Sequence, residues 1–341
     1  MTDTTPRVSA VMSAHNDAQH VEAAVRSILG QAFRSLELIV IDDGSTDATP
    51  EVLDRLARED GRLRVVHQDN TGLTRALIRG CELARGEFIA RQDSDDWSHP
   101  LRIAEQVALL DSDPGIGFVS CAVRYVGPGD EPLCVVSRST DSTQATEGLL
   151  QRRQGPPAHG SVMFRRSVYT QTGGYRAPFH FAQDSDLWLR MAEITRIGYL
   201  ADVRYHHRKD ARSTSGAARA AQKRFGELGH LCRQARLADQ PEAPFLAEAE
   251  ALAQQVKAGI AQTPAGRRRA LADANYLIGA MLVANYDARA RGYLSQAIHL
   301  CPWRVKPWLR LGHSLLTGRS AIATDQTMNG GSPEQDSLRD S

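Results

Sequence analysis

Hydrophobic and polar positions follow two alternating patterns along the first hundred residues. Short apolar runs, typical of buried parallel strands, occur at 7–13, 36–42, 63–68 and 87–92. The segments between them place apolar residues three and four positions apart, which predicts helices at 21–29, from Pro50 onward, at 73–84 and at 101–111. This strand–helix alternation predicts an α/β fold with a mostly parallel central sheet and helices on both faces.

The pattern changes twice further along the chain. Between residues 116 and 205 it is mixed, with strand-like GFVSCAVRYVG, GSVMFRR and IGYLADVRYHHR, a helical DSDLWLRMAEI and a polar stretch at 137–147 that predicts a loop. From residue 216 the chain is typical of helices, and residues 324–341 lack both periodicity and aromatic side chains. We therefore expect a first domain over 1–215, a helical region over 216–323 and a disordered tail over 324–341.

The amino-acid composition limits the binding partners and the cellular location that we expect for the protein. The 341 residues contain 41 Lys and Arg against 40 Asp and Glu, so the total charge gives no indication of a nucleic-acid partner. Five scattered cysteines without a C-x-x-C pair predict reduced thiols. From the sequence pattern we expect neither a signal peptide nor an integral membrane segment. We expect a cytoplasmic protein, which basic residues around 204–236 and 267–269 could hold peripherally at the inner membrane face.

Carboxylates follow two of the predicted strands at their ends. Asp42 and Asp43 follow the second strand, and Asp93, Asp95 and Asp96 follow the fourth. Ligands of such sheets bind beyond the carboxyl ends of the strands. Clustered carboxylates raise one another's pKa unless a positive charge lies between them, and Mg²⁺ or Mn²⁺ prefers carboxylate oxygens. The D-x-D pattern therefore favours a cation that in turn holds a diphosphate.

The acidic segments are also compatible with roles that need no bound diphosphate. The segment after the fourth strand could be a solvated loop that caps the 101–111 helix. A calcium loop starting at Asp43 fails, because Ala48 and Asp54 stand where glycine and glutamate are required. An aspartyl phosphatase also places D-x-D after a strand, but it needs a downstream lysine, and the lysines all lie late in the chain, from Lys209 onward.

Five segments in order carry a resemblance to a known family. They are SAVMSAHNDAQHVEAAVRSILGQAF, ELIVIDDGSTDATPEVL, NTGLTRALIRGCELARGEFIARQDSDDWSHPLRIAEQVALL, HGSVMFRRSVYTQTGGYR and FAQDSDLWLRM. Over roughly residues 6–215 the chain resembles the family 2 glycosyltransferases. The resemblance implies the GT-A fold and inverting, metal-dependent transfer of a sugar from a nucleotide-diphospho-sugar. It implies Mn²⁺ or Mg²⁺ as cofactor and most often UDP as the nucleotide.

The resemblance also assigns roles to individual residues. Metal ligands are Asp95 and His206, with His207 as the nearby alternative. Arg91 would lie beside the phosphates or pair with Asp93, and His15 stands where the family often has a tyrosine. The residues implied to bind the nucleotide are Ala14, His15, Asn16, Asp17, Asp43, Gly72, Arg91 and Asp93.

The segment FAQDSDLWLR matches a motif that carries the family's catalytic base. Asp184 is the matching residue, and an inverting transfer needs a base within hydrogen-bond reach of the attacking hydroxyl. The family's preceding glutamate is Gln183 here, which removes one charge. Asp184 could also cap the helix that follows. We expect Asp186 to pair with Arg190 one turn further on, and Trp188 to lie in the core.

The sequence allows only broader predictions for the C-terminal region and for the acceptor. Trp308-x-x-Leu311-Gly312 resembles part of a tetratricopeptide repeat, which predicts a helical appendage and a protein partner for it. A binding or scaffold protein with a decayed transferase domain is the second hypothesis, and retention of Asp43, Asp93, Asp95 and Asp184 counts against it. The acceptor could be a saccharide, a lipid-linked sugar or a protein.

Overall fold

A computed structural model describes residues 5–209, 219–257 and 264–325. Within these residues nine strands form one sheet. The strands are β1 (Val8–Ala14), β2 (Leu36–Asp43), β3 (Leu63–Gln68), β4 (Phe88–Asp93), β5 (Trp97–Ser98), β6 (Ile116–Val126), β7 (Pro132–Val136), β8 (Met163–Arg165) and β9 (Arg196–Arg208). The four apolar runs at the start of the chain are therefore strands, as predicted.

The order of the strands brings the ends of β1, β2 and β4 together. The sheet runs β3-β2-β1-β4-β8-β6-β9-β5, with β7 paired to β6. The pairs among β1 to β4 are parallel, whereas β8 is antiparallel to both β4 and β6. In this register Ala14 lies beside Asp42 and Ser13 lies beside Asp93. The acidic segments after β2 and β4 thus meet at one edge of the sheet.

Between residues 5 and 209, seven helices and one short 3-10 helix accompany the sheet in chain order. They are α1 (Val21–Leu29), α2 (Thr49–Glu59), α3 (Leu73–Leu83), α4 (Arg102–Ser112), α5 (Ser142–Arg152), the 3-10 helix His159–Ser161, α6 (Arg166–Gln171) and α7 (Gln183–Ala192). The polar stretch at 137–147 is only partly the predicted loop, because α5 begins at Ser142. Asp141 caps that helix by accepting from the Gln144 amide at 2.9 Å.

Both faces of the sheet are covered, as the apolar runs predict. In β1, Val8 and Met12 lie in a core cluster with residues of α1, α2 and α4. Val11 points to the other face and belongs to a cluster with residues of α3 and α7, including Trp188, which is 2% exposed. Alternate residues of one strand therefore serve two cores, which explains why the run contains few polar positions.

The predicted helical region after residue 216 is divided between two compact units. Helices α8 (Arg219–Leu237) and α9 (Ala243–Lys257) belong to the unit that contains the sheet. Phe225, Leu228 and Cys232 of α8 form an apolar cluster with Phe179, just ahead of α7. The predicted boundary at residue 215 lies outside the described residues.

The second unit consists of α10 (Pro264–Ala284), α11 (Ala290–Leu300) and α12 (Val305–Asp325). Its helices pack in sequence order and confirm a helical C-terminal segment. Its relation to tetratricopeptide repeats stays a prediction, and the predicted tail lies outside the described residues from 326 onward. Across the described ranges, no helix is both long and apolar enough to cross a membrane.

Candidate active site

The loop after β1 is tied to the loop after β2. The ring of His15 donates from Nδ1 to the Asp43 carbonyl at 2.9 Å. Asn16, whose φ is 53°, accepts at its side-chain oxygen from the Thr46 amide at 2.7 Å, and its own amide donates to Ser45. These bonds fix the backbone of 14–17 at the edge of the sheet. The His15 side chain stays exposed there.

Asp43 is saturated by hydrogen bonds from the last residue of β3 and from the loop that precedes α3. Its carboxylate accepts from the amides of Thr71 and Gly72 at 2.9 and 2.8 Å and from the Gln68 side chain at 2.6 Å. It is 2% exposed. Gly72 has a φ of 90°, a conformation that favours glycine. Asp43 therefore shapes the Gly72 loop, and the nucleotide contacts expected of Asp43 and Gly72 stay predictions.

Arg91 takes the second of its two expected positions, against Asp93. It is fully buried, and its guanidinium donates to Asp93 Oδ1 at 2.7 Å and to the Val11 carbonyl. Its Nε donates to His159 Nε2 at 3.3 Å. The other oxygen of Asp93 accepts from the Gly160 amide at 3.1 Å. Asp93 is thereby held from two sides at the end of β4.

Asp96 orients a histidine of β9. It is 1% exposed and accepts from the Tyr205 hydroxyl at 2.8 Å, from His207 Nδ1 at 2.8 Å and from the Arg208 amide at 2.7 Å. Ligand atoms of Asp93, Asp96 and His207 lie within 4.8 Å of one another. A carboxylate that accepts from one ring nitrogen of a histidine fixes the other nitrogen as a potential metal ligand.

Asp95 differs from its acidic neighbours. Among the described residues, none donates a hydrogen bond to its carboxylate. Burial and then the charges of Asp96 and Asp93 raise the pKa of Asp95 to about 7. A partly buried carboxylate next to two other acids is stabilised by a cation. The Asp93 and Asp96 oxygens with the His207 imidazole form a donor set that suits Mg²⁺ or Mn²⁺. Asp95, the ligand expected from the motif, adds negative charge next to this set but does not belong to it, and its role as a ligand stays a prediction.

His206 points away from this group, because neighbouring residues of a strand face opposite sides. Its ring stacks on Trp97 with the centroids 4.7 Å apart, and its Nδ1 atom is buried without a hydrogen-bond partner among the described residues. The structure therefore brings His207 to the acids in place of His206, the ligand expected from the motif. The pairing of β9 with β5 decides between the two, and that register cannot be read from the sequence.

Asp184 lies in the first turn of α7 and is half-buried. It does not cap the helix as expected from the sequence, since Ala182 is the cap residue, in a left-handed conformation with φ of 55°. One Asp184 oxygen accepts from the next amide, that of Ser185, at 2.7 Å. Its negative charge makes a small contribution that raises the pKa of His159 and of Tyr175.

His159 links Arg91 of the acidic group to Tyr175. Its Nε2 lies 2.6 Å from the Tyr175 hydroxyl and accepts from Arg91, so the ring proton is on Nδ1. Burial and the charge of Arg91 lower the pKa of His159 to about 3, so the ring is neutral. Hydrogen bonds thus run from Asp93 through Arg91 and His159 to Tyr175. In the sequence, only the motif HGSV points to His159.

Asp186 has a structural role, as predicted. It is 1% exposed, pairs with Arg190 at 2.8 Å and also binds Arg176. Arg176 extends this network to Glu242 near α9. The two acids of α7 are thus different in kind, since Asp186 is neutralised by two arginines and Asp184 by none of the described residues.

Comparison with known protein families and sequences identifies relatives of the chain. The family model described as glycosyl transferase family 2 matches residues 9–173. The chain is 32% identical over 211 residues to EpsE of Bacillus subtilis (strain 168), whose name assigns it to the glycosyltransferases. That alignment covers 60% of this chain and 74% of EpsE.

Two solved structures share the fold. A mannosyltransferase from Pyrobaculum calidifontis in complex with GDP-Man and Mn²⁺ has a TM-score of 0.53 at 22% identity, covering 95% of this chain and 89% of its own. Residues 1–349 of Staphylococcus aureus TarS in complex with UDP have a TM-score of 0.51 at 16% identity, covering 93% and 92%. The α/β sheet with its helices therefore has the GT-A fold expected from the sequence.

Proposed function

Because the chain belongs to the family 2 glycosyltransferases, we propose that it transfers a sugar from a nucleotide-diphospho-sugar to an acceptor hydroxyl with inversion. The observation that carries the proposal is the carboxyl group of Asp95. It lies at the carboxyl edge of the sheet beside Asp93 and Asp96, no described residue donates to it, and its pKa is raised to about 7. A divalent cation and the diphosphate it binds would complete this group of residues.

Asp95 and His207 would hold the cation, with Asp96 orienting His207 and Asp93 fixed by Arg91. His206 remains the other predicted ligand, although its ring stacks on Trp97. Bound there, Mn²⁺ or Mg²⁺ would neutralise charge on the departing nucleoside diphosphate. The mannosyltransferase structure with GDP-Man and Mn²⁺ supports this choice of ions.

Asp184 accepts the proton of the acceptor hydroxyl as that oxygen attacks the anomeric carbon. Its half-buried carboxylate has one hydrogen bond, from Ser185, and so keeps lone pairs for a substrate. The neutral His159 is a much weaker base, because its pKa lies at about 3. His159 instead holds Tyr175 and Arg91 in place. In-line attack from the Asp184 side inverts the anomeric configuration.

The nucleoside contacts come from Ala14, His15, Asn16 and Asp17 with the Gly72 loop that Asp43 shapes. His15 has an exposed ring on which the nucleobase of the donor can stack. We propose UDP as the nucleotide of the donor. Because structural neighbours were solved with UDP and with GDP-Man, both UDP and GDP should be tested. The acceptor is a saccharide, a lipid-linked sugar or a protein, and we place the reaction in the cytoplasm.

A thermal-shift screen of UDP, GDP and dTDP, each with Mn²⁺ or with EDTA, tests the donor side. We expect one nucleotide to raise the melting temperature in Mn²⁺ only, since a ligand that binds the folded state stabilises it. Incubation with the matching nucleotide-sugar and candidate acceptors, followed by NMR of the product's anomeric proton, tests inversion. No response to any nucleotide in either condition would contradict the proposal and favour a scaffold protein.

A further inference from the structure

The charge of the chain is unevenly distributed, although the total is close to zero. Residues 264–325, the helices α10 to α12, contain nine Lys and Arg and three Asp and no Glu. Two of these acids are already paired with arginines, Asp273 with Arg304 and Asp287 with Arg289. The second unit therefore presents a cationic surface, whereas the remainder of the chain has more acidic than basic residues.

The exposed side of α12 is apolar at the start of the helix. Val305 and Leu309 are 66% and 68% exposed and lie one turn apart on the same side of the helix. The opposite side carries Pro307 and Ser314, which are buried in the unit. A helix that already buries one side has no packing reason within this unit for a second apolar stripe. Exposed large apolar residues grouped on one face mark an interaction surface.

Basic and aromatic side chains flank this stripe. Lys306, Leu309, Arg310 and His313 line a groove between α12 and α10, with Tyr276 on the α10 side. Trp303, 63% exposed, lies just ahead of the helix with the Arg268 guanidinium over its ring. We call the surface formed by Trp303, Val305, Lys306, Trp308, Leu309 and Arg310 the α12 face.

We propose that the α12 face binds the surface of an anionic lipid membrane. Charge complementarity and side-chain type together favour this partner. Tryptophan is enriched at the boundary between headgroups and acyl chains, and Lys and Arg beside an apolar stripe attract anionic headgroups. Residues 305–324 contain no acidic side chain, so nothing in that segment opposes the attraction.

Membrane binding by the α12 face is independent of the nucleotide chemistry. It determines where the enzyme is held, and it does not use any residue of the candidate active site. A surface-bound transferase would meet acceptors that are themselves attached to lipid. Binding through one helix face is reversible and depends on salt, since the cationic contribution is screened.

Co-sedimentation with lipid vesicles tests the proposal on the full chain. The vesicles are phosphatidylcholine alone and phosphatidylcholine with one third phosphatidylglycerol. We expect binding to the anionic vesicles only, weakened by salt and accompanied by a blue shift of tryptophan emission. Lys306→Glu with Arg310→Glu should lower the partition by at least about tenfold, because each basic residue near an anionic surface contributes severalfold. Val305→Ser with Leu309→Ser should also lower it severalfold.

Matched variants on the first unit serve as controls. Arg58→Glu with Arg64→Glu makes the same change of charge at exposed positions, and Leu237→Ser removes an apolar side chain that is 65% exposed. Both should sediment like the parent, and circular dichroism shows that every variant is folded. A parent chain that stays in solution with anionic vesicles would overturn the proposal. Equal binding by the Val305→Ser and Leu309→Ser variant would also overturn it, because simple charge attraction does not need the apolar stripe.

Discussion

Asp43 and Asp95 occupy similar positions in sequence, each at or just after the end of a buried parallel strand, but their surroundings are opposite. Asp43 accepts four hydrogen bonds, all from residues 68–72, and so stabilises the loop it touches. Asp95 accepts none from the described residues, and its neighbours Asp93 and Asp96 add negative charge to a partly buried position. An acid saturated by donors supports the structure, whereas an acid left without donors is available to a ligand.

The same contrast recurs on α7 between two acids of one helical turn. Asp186 lies between Arg176 and Arg190 and is 1% exposed. Asp184 is half-buried, and one adjacent amide donates to it. Their partners therefore distinguish acids that hold the fold from acids that remain available to a ligand, since spacing along the chain gives both kinds.

Exchanging the two acids of α7 for asparagine gives the largest effect that this contrast predicts. Asp184→Asn should lower turnover by about 10²–10⁴-fold, the usual contribution of a positioned base, and leave the affinity for the nucleotide-sugar within a few-fold. Asp186→Asn should instead lower the free energy of unfolding by about 3–5 kcal/mol, because it leaves the buried Arg190 without its acidic partner and removes one of the two acids that pair with Arg176. Initial rates and denaturant titrations measure the two outcomes.

The opposite result would contradict the assignment of a catalytic role to Asp184 and a structural role to Asp186. If Asp184→Asn turns over at the parental rate while Asp186→Asn is stable and inactive, the base lies two residues further along the helix. Loss of donor affinity in Asp184→Asn would place residue 184 on the nucleotide side of the site.

The two histidines of β9 provide a second, smaller test. His207→Ala should weaken Mn²⁺-dependent nucleotide binding by about 10–100-fold, the range found when the ligand shell of a metal is disturbed. His206→Ala should leave that binding within a few-fold, because its ring stacks on Trp97 on the other side of the strand. Calorimetric titration of UDP in Mn²⁺ measures both. An effect confined to His206→Ala would restore the ligand expected from the motif.

The sequence predicts the strands and helices that form this edge of the sheet, because these elements depend on local periodicity. The four early strands, the helices between them and the pairing of Asp186 with Arg190 follow from residues close together in the chain. The choice between His206 and His207 depends on how β9 pairs with β5, and the saturation of Asp43 depends on a loop 25 or more residues away. Contacts of this kind arise only from tertiary packing. The start of α5 is different, because the Asp141 cap is a local signal that polarity alone does not distinguish from a loop.

The pH dependence of stability gives the smallest predicted effect. The folded-state pKa of Asp95 lies at about 7, above the ordinary value of 3.8, so the folded protein holds a proton that the unfolded chain releases between these values. In EDTA, ionised Asp95 therefore destabilises the fold as the pH rises through this window. Asp95→Asn removes this unfavourable charge. For each kcal/mol gained in the free energy of unfolding, the melting temperature at pH 8 should rise by about 2–4 °C, whereas at pH 4 it should change little.

Differential scanning calorimetry of both proteins at the two pH values checks this prediction. A melting temperature for Asp95→Asn that matches the parent at pH 8 would mean that Asp95 is not strained in the absence of a cation. The availability of Asp95 to a ligand would then have to be argued from geometry alone.

Mn²⁺ binding measured by electron paramagnetic resonance tests the central claim most directly. The free-ion signal is titrated without nucleotide for the parent, Asp95→Asn and Asp43→Asn, each verified as folded. We predict that the parent and Asp43→Asn remove the free-ion signal with similar affinity, and that Asp95→Asn binds at least about tenfold more weakly, since a carboxylate is the preferred ligand of this ion. Binding by Asp95→Asn equal to that of the parent would contradict the assignment of Asp95 as the acid left open for the cation.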